Sequence, residues 1–164
     1  MIPAPIPATE AQRLADLHAL RILDTPPEER FDRIVRLAAR IFDVPTAYVA
    51  LIDSDRQWFK AKCGLQADST GRDISFCGHA IVNEGPLVIP DAHRDVRFHD
   101  NPLVVNPPHV RFYAGHPLRG PAGQNVGTFC LTAPAPRNLS PAESAMLADL
   151  AALAEHELNM VELI

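Results

Sequence analysis

The chain has 164 residues, 20 acidic against 15 basic side chains for a net charge of −5, 47% hydrophobic residues, 16 prolines and 3 cysteines. That length fits one domain over residues 1–164, able to bury a core without covalent staples. Mild acidity with interspersed signs excludes the basic stripe that nucleic acid requires, and no run approaches the roughly 18 apolar residues of a membrane span.

Cys63, Cys77 and Cys130 are an odd set with no C-x-x-C pair, which points away from a disulfide framework or a zinc knuckle and towards reduced thiols in the cytoplasm. Residues 1–9 carry no basic and apolar leader pattern and read as a flexible N-terminal segment.

Thr9-x-x-Gln12 reads as a capping box, and Leu14, Leu17, Leu20 and Leu23 extend a first helix to Asp24-Thr25-Pro26-Pro27. Thr25 then caps a second helix with Pro26 at its first position and Glu28 closing another box. Phe31, Ile34, Val35, Ala38, Ile41 and Phe42 form its apolar face until Val44-Pro45. Thr46 to Ile52 is an apolar, β-rich run and predicts a central strand. Gln57 to Cys63 alternates, with Trp58, Lys60 and Lys62 on one face and Phe59, Ala61 and Cys63 on the other, as a hairpin partner.

After a polar stretch through Gly71, Ser75 to Val82 suits a short helix and Leu87-Val88-Ile89 a short strand. Pro90 to Val110 sustains no period and predicts a long loop, which in compact domains is usually functional or disordered. Arg111 to Leu118 and Val126 to Ala133 read as two more strands of an antiparallel meander. Ser140-Pro141-Ala142-Glu143 launches a final helix over 140–164. Leu147, Ala151, Ala154, Leu158 and Val161 make one apolar seam of that helix. Met146, Leu150, Leu153, Met160 and Ile164 make a second, interrupted by Glu157 and available for dimerisation or output.

This order predicts an α+β fold: a central antiparallel sheet with N- and C-terminal helices on one face and the short helix plus long loop over the other. A sheet face roofed by irregular backbone suits a small-molecule pocket.

Several ordered motifs sharpen that reading. Asp24-Thr25-x-Pro27-Glu28-x-x-Phe31-Asp32, Ser75-Phe76-Cys77-x-His79-Ala80-Ile81, Asp91-Ala92 with Asp95-x-Arg97-Phe98-x-x-Asn101-Pro102, Arg111-Phe112-Tyr113-Ala114-Gly115-x-Pro117-Leu118 and Gly127-Thr128-x-Cys130 together resemble the GAF domain. More narrowly they resemble the subfamily found N-terminal in bacterial diguanylate cyclases and sensor histidine kinases, over about Leu14 to Leu158. The resemblance implies a non-enzymatic sensory module with an unidentified small-molecule ligand and a homodimer through the terminal helices. A diguanylate cyclase or histidine kinase output domain would lie outside this sequence. It names no cofactor. An alternative is an interaction module with a vestigial pocket.

A second alternative is an enzyme like the GAF branch that reduces free methionine sulfoxide. Against it, Cys63 and Cys130 fall within strands, so exchange with Cys77 is not indicated by spacing. Gly78 separates Cys77 from His79, unlike the adjacent Cys-His of bilin-binding relatives. His79, His93, His99, His109 and His116 lack metal-ligand spacing, and no metal is assigned. The expected pocket lining is Phe76, Cys77, His79, Asp91, Arg97, Phe98, Asn101, Arg111, Tyr113 and His116, the arginines suiting carboxylate or phosphate. Arg97 and Arg111 could equally tie the loop to Asp91 or Asp95. Which of Phe112 and Tyr113 faces the pocket is left open.

Overall fold

The computed structural model describes residues 1–160. Six strands, β1 (Thr46–Ile52), β2 (Arg56–Cys63), β3 (Ser69–Gly71), β4 (Leu87–Ile89), β5 (Phe112–Arg119) and β6 (Asn125–Ala133), form one antiparallel sheet in the order β3-β2-β1-β6-β5-β4. The apolar run of β1 lies at the centre, buried at every position and paired to β2 and β6. The pairing of β1 with β6 interrupts the expected meander, because the chain leaves the sheet after β3 and returns from the opposite edge.

One face carries α1 (Glu10–Ala19), α2 (Glu29–Phe42) and α5 (Pro141–Leu158) over Val49, Leu51, Trp58, Phe112, Phe129 and Leu131. The other carries α3 (Phe76–Ala80), a 3-10 turn at Ala92–Arg94 and α4 (Pro102–Val105) over Tyr48, Ala50, Phe59, Tyr113 and Cys130. The two single turns at Ala92–Arg94 and Pro102–Val105 interrupt the predicted loop.

Local chemistry explains where the elements depart from their expected bounds. The Thr9 side chain makes no cap bond and α1 stops at Ala19, because Arg21 and Asp24 take left-handed backbone. α2 begins after Glu28 rather than at Pro26, since a residue before proline is pushed out of the helical region and two prolines stand in succession. The Lys60 ammonium reaches the Thr25 hydroxyl at 2.9 Å, the Pro26 carbonyl at 2.6 Å and the Glu28 carboxylate at 2.7 Å, so the predicted capping groups serve a buried cation.

A β-bulge makes Lys60 an extra residue: Ala50 faces Phe59 while Val49 faces Ala61. Trp58 and Ala61 therefore share the helical face, with Cys63 packed against it, instead of alternating as expected. β3 was hidden in polar sequence and is fixed by its pairing to Arg56, Gln57 and Trp58.

In α5 the Ser140/Glu143 capping box forms as predicted, and Leu147, Ala151, Ala154 and Leu158 are buried. Leu150 is buried with them, whereas Met146 and Leu153 are exposed. The second seam is thus split between core and surface. The helix ends at Leu158, where the Asn159 side chain donates to the Arg119 and Glu155 carbonyls. Val161 and Ile164 lie outside the described residues.

Candidate functional site

The roof over the second sheet face is held by side chains standing in for missing regular backbone. Ser75 caps α3, its hydroxyl accepting from the Gly78 N–H at 3.0 Å. The buried Asn101 caps α4 by accepting from the Leu103 N–H at 2.9 Å, and its amide donates to the Ile74 carbonyl at 3.0 Å. Asp91 caps the 3-10 turn and takes a bidentate pair of bonds from Arg111 at 2.7 and 2.9 Å. The Arg111 guanidinium holds the Asp91 carboxyl down at about 2. Arg97 forks onto Asp95 at 3.0 and 2.8 Å, which lowers the Asp95 pKa, and its guanidinium lies 5.2 Å from the Phe98 ring centre.

Beneath these hooks the interior is filled by aromatic rings. Phe76 stacks between Phe98 at 4.3 Å and Tyr113 at 5.1 Å, and His79 meets Phe98 edge-on at 4.7 Å. Tyr113 faces the roof and Phe112 the helices, which settles their alternation. Burial lowers the His79 pKa, and one ring nitrogen lies 3.1 Å from the Ile2 carbonyl. The N-terminal segment runs across the roof here, with the Ala4 N–H donating to the Asp73 carbonyl at 3.0 Å. A Cβ on Gly78 would lie 2.6 Å from the Ala4 Cβ, so glycine is what lets this segment pack down between Cys77 and His79.

The structure thus gathers Phe76, Cys77, His79, Phe98 and Tyr113 into one buried group. It sets Arg97 and Arg111 in ion pairs at the roof's margin and makes Asn101 a brace. His116 follows the alternation of Phe112, Ala114 and Leu118, the residues that face the helices, and its ring bonds the Pro117 carbonyl at 3.0 Å. Clefts of about 710, 380 and 260 Å³ open elsewhere, and none of the candidate residues lines them. Among the described residues no group of three or more His, Cys, Asp and Glu is placed to hold a metal ion.

Sequence reasoning missed the company that Cys77 keeps. Its sulfur lies 3.1 Å from that of Cys130, 3.2 Å from the Tyr113 hydroxyl and 3.8 Å from that of Tyr48, and the Thr128 hydroxyl lies 2.8 Å from the Cys130 sulfur. Only the shared alternation of Tyr48 and Ala50 on β1, or of Thr128 and Cys130 on β6, hinted at a common face.

The GAF domain model matches residues 26–158, most of the helices and the whole sheet. The chain belongs to the GAF domain family. It is 39% identical over 154 residues to a cyclic di-GMP phosphodiesterase of Pseudomonas aeruginosa, covering 93% of this chain and 26% of that protein. The chain therefore spans about a quarter of that relative's length.

Solved structures with the same fold include the GAF domain of an Acinetobacter phosphoenolpyruvate-protein phosphotransferase, at TM-score 0.63, 17% identity and coverage of 90% of this chain and 92% of that one. The free methionine-R-sulfoxide reductase of Neisseria meningitidis, with its substrate, gives 0.64 and 15% over 96% and 95% of the two chains. The blue-light-absorbing PixJ GAF domain of Thermosynechococcus elongatus gives 0.62 and 16% over 92% and 89%. At these identities the likeness establishes the fold. Family membership, with a bacterial relative, is consistent with a sensory or regulatory role. No described helix is long and apolar enough to cross a membrane.

Proposed function

We propose that this GAF domain regulates an output domain, of the diguanylate cyclase, phosphodiesterase or histidine kinase kind, by pairing with a second copy through α2 and α5. The contrast between its faces carries the reading: the roof interior is filled by its own rings, while α2 and α5, packed on one another, leave Leu37 and Ile41 and Met146 and Leu153 38–54% exposed. Apolar strips on adjoining helices are what a helix-mediated dimer buries. Sedimentation of Leu153→Glu tests it. The expected outcome is a folded monomer where the parent chain is a dimer; a monomeric parent, or a dimer unaffected by the charge, overturns it. Leu150→Glu serves as the contrasting control, because Leu150 is core and its replacement should unfold the domain.

A second reading, a small-molecule sensor, is favoured by the roof's construction from short elements hung on the Asp91–Arg111 and Arg97–Asp95 pairs. A ligand would enter by displacing the Phe76–Phe98 stack, and could shift the equilibrium only by its greater affinity for the open roof. Native mass spectrometry of protein purified from cells tests this reading directly. Retained mass lost in Phe76→Trp supports the pocket between sheet and roof; retained mass unaffected by that change, or none, favours the helical reading.

A further inference from the structure

We propose that Cys77 and Cys130 are a dithiol couple, oxidised by a small hydroperoxide to a disulfide that ties the roof helix α3 to the central strand β6. The two thiols are 53 positions apart in sequence, fully buried, and their sulfurs stand 3.1 Å apart. A disulfide places them at about 2.05 Å, so closure needs an approach of roughly 1 Å rather than a rearrangement.

The pair sits in the apolar cluster beneath the roof but meets polar groups there as well. Three hydroxyls converge on the pair: those of Tyr113 and Tyr48 on Cys77, and that of Thr128 on Cys130, with Tyr113 also 3.4 Å from Cys130. Gly115, the cross-strand partner of Cys130, makes this possible, because a Cβ there would lie 2.1 Å from the Tyr113 hydroxyl. Burial pushes both thiols up. At Cys77 the bonds from Cys130, Tyr113 and Tyr48 outweigh that and leave its pKa below the ordinary value, while Cys130 stays well above. Cys77 therefore gives up its proton more readily than Cys130, the asymmetry that a stepwise oxidation uses.

In the first step the Cys77 thiolate attacks one peroxide oxygen; the S–O bond forms, the O–O bond breaks, and hydroxide leaves to become water on protonation. In the second the Cys130 sulfur attacks the sulfenic sulfur of Cys77; the S–S bond forms, the S–O bond breaks, and the Cys130 proton leaves with the hydroxide as a second water. Two thiols and one hydrogen peroxide give one disulfide and two waters; an alkyl hydroperoxide would release its alcohol in place of the first water. A bulky disulfide oxidant is poorly suited to sulfurs with no surface exposure, which is why the oxidant is a small hydroperoxide.

The cross-link would span the whole roof, since α3, β4, the turn at Ala92–Arg94, α4 and β5 all lie between residues 77 and 130. It would draw Cys77 away from the geometry in which its neighbour Phe76 stacks on Tyr113. Oxidation thus acts on the aromatic roof without requiring any ligand, and is independent of both functional readings above.

The test uses the full chain, reduced and then treated with equimolar hydrogen peroxide, quenched, denatured and alkylated with N-ethylmaleimide before intact-mass and peptide analysis. The expected result is loss of two of the three alkylatable thiols, a mass about 2 Da lower before alkylation, a peptide linked through residues 77 and 130, and recovery of both thiols with dithiothreitol. Half-exposed Cys63 is the internal reference, and Cys63→Ser should retain the whole effect. The melting temperature of the oxidised chain should rise by several degrees, as expected when a long loop is closed. Retention of all three thiols, oxygen adducts on Cys77 and Cys130 without a link, or a link involving Cys63 would each overturn the couple.

Discussion

On one face of the sheet, helices of 10, 14 and 18 residues bury a continuous apolar cluster from Leu17 through Phe31, Phe42 and Phe129 to Leu158. On the other, α3 and α4 span 5 and 4 residues, and the roof depends on Ser75, Asp91, Asp95 and Asn101 to satisfy backbone or tether arginines. The helical face is stabilised by area and regular backbone bonding. The roof concentrates its stability in a few side chains, so it can open locally at a smaller cost than the helical layer. That division fits the proposed regulatory role, in which the helical layer would pair or transmit and the roof would respond.

The largest expected effect lies on the helical face. Leu150→Glu removes a buried leucine and inserts a carboxylate into the core, and should cost at least about 4 kcal/mol, a large part of a typical domain's total of about 5–15 kcal/mol. Thermal unfolding would show loss of the cooperative transition. Phe98→Ala, in the roof, removes the ring that meets Phe76, His79 and the Arg97 guanidinium, and should cost about 3–5 kcal/mol if roof and sheet unfold together. If the roof is separable, hydrogen exchange should instead rise in α3 and α4 while β1 and α2 keep their protection. Uniform loss of protection across both faces would mean that roof and helical layer unfold as one unit.

Much of this arrangement was legible in the sequence. The continuous apolar run of β1, the alternation of β5 and β6, and the Ser140 capping box are local signals, and each leads to the element observed. What was not legible depends on distant partners. Lys60 becomes a bulged residue because its ammonium is taken up by Thr25, Pro26 and Glu28 some 34 residues earlier, and no alternation rule carries that information. β3 exists only through its pairing with β2. At the candidate site, the Arg97–Asp95 pair is local and was open to reading, whereas the meeting of Cys77 with Cys130 required the sheet order that puts β6 beside β1.

Two caps sharpen the comparison at smaller magnitude. Asn101 is buried and braces both the Leu103 N–H and the Ile74 carbonyl, so Asn101→Ala should leave two part-buried backbone groups without that partner and cost about 2 kcal/mol. Ser140 performs the same capping role on α5 at an exposed end, and Ser140→Ala should cost about 1 kcal/mol. Denaturant midpoints measured side by side would check the order. Equal losses would mean that the roof caps carry no more than the helical ones.

The smallest effect on global stability belongs to the Asp91–Arg111 pair, and pH isolates it. The two charges form a bidentate bond at the roof's margin, where solvent screens them, so Asp91→Asn should leave the melting temperature close to the parent's. The side chain also acts locally, because Asp91 accepts the His93 N–H that starts the turn at Ala92–Arg94. Arg111 lowers the folded-state pKa of Asp91 to about 2, below the roughly 3.9 of a free aspartate, so the pair's contribution is fully present above about pH 4 and is lost as pH falls through 2. Exchange of the His93 amide, corrected for its intrinsic pH dependence, should therefore accelerate across that window in the parent. It should stay flat in Asp91→Asn, whose amide oxygen can still accept but does not titrate, and be already fast and flat in Asp91→Ala. The same acceleration in either variant would place the acid-sensitive group elsewhere in the roof, with Asp95 and its Arg97 partner the next pair to replace.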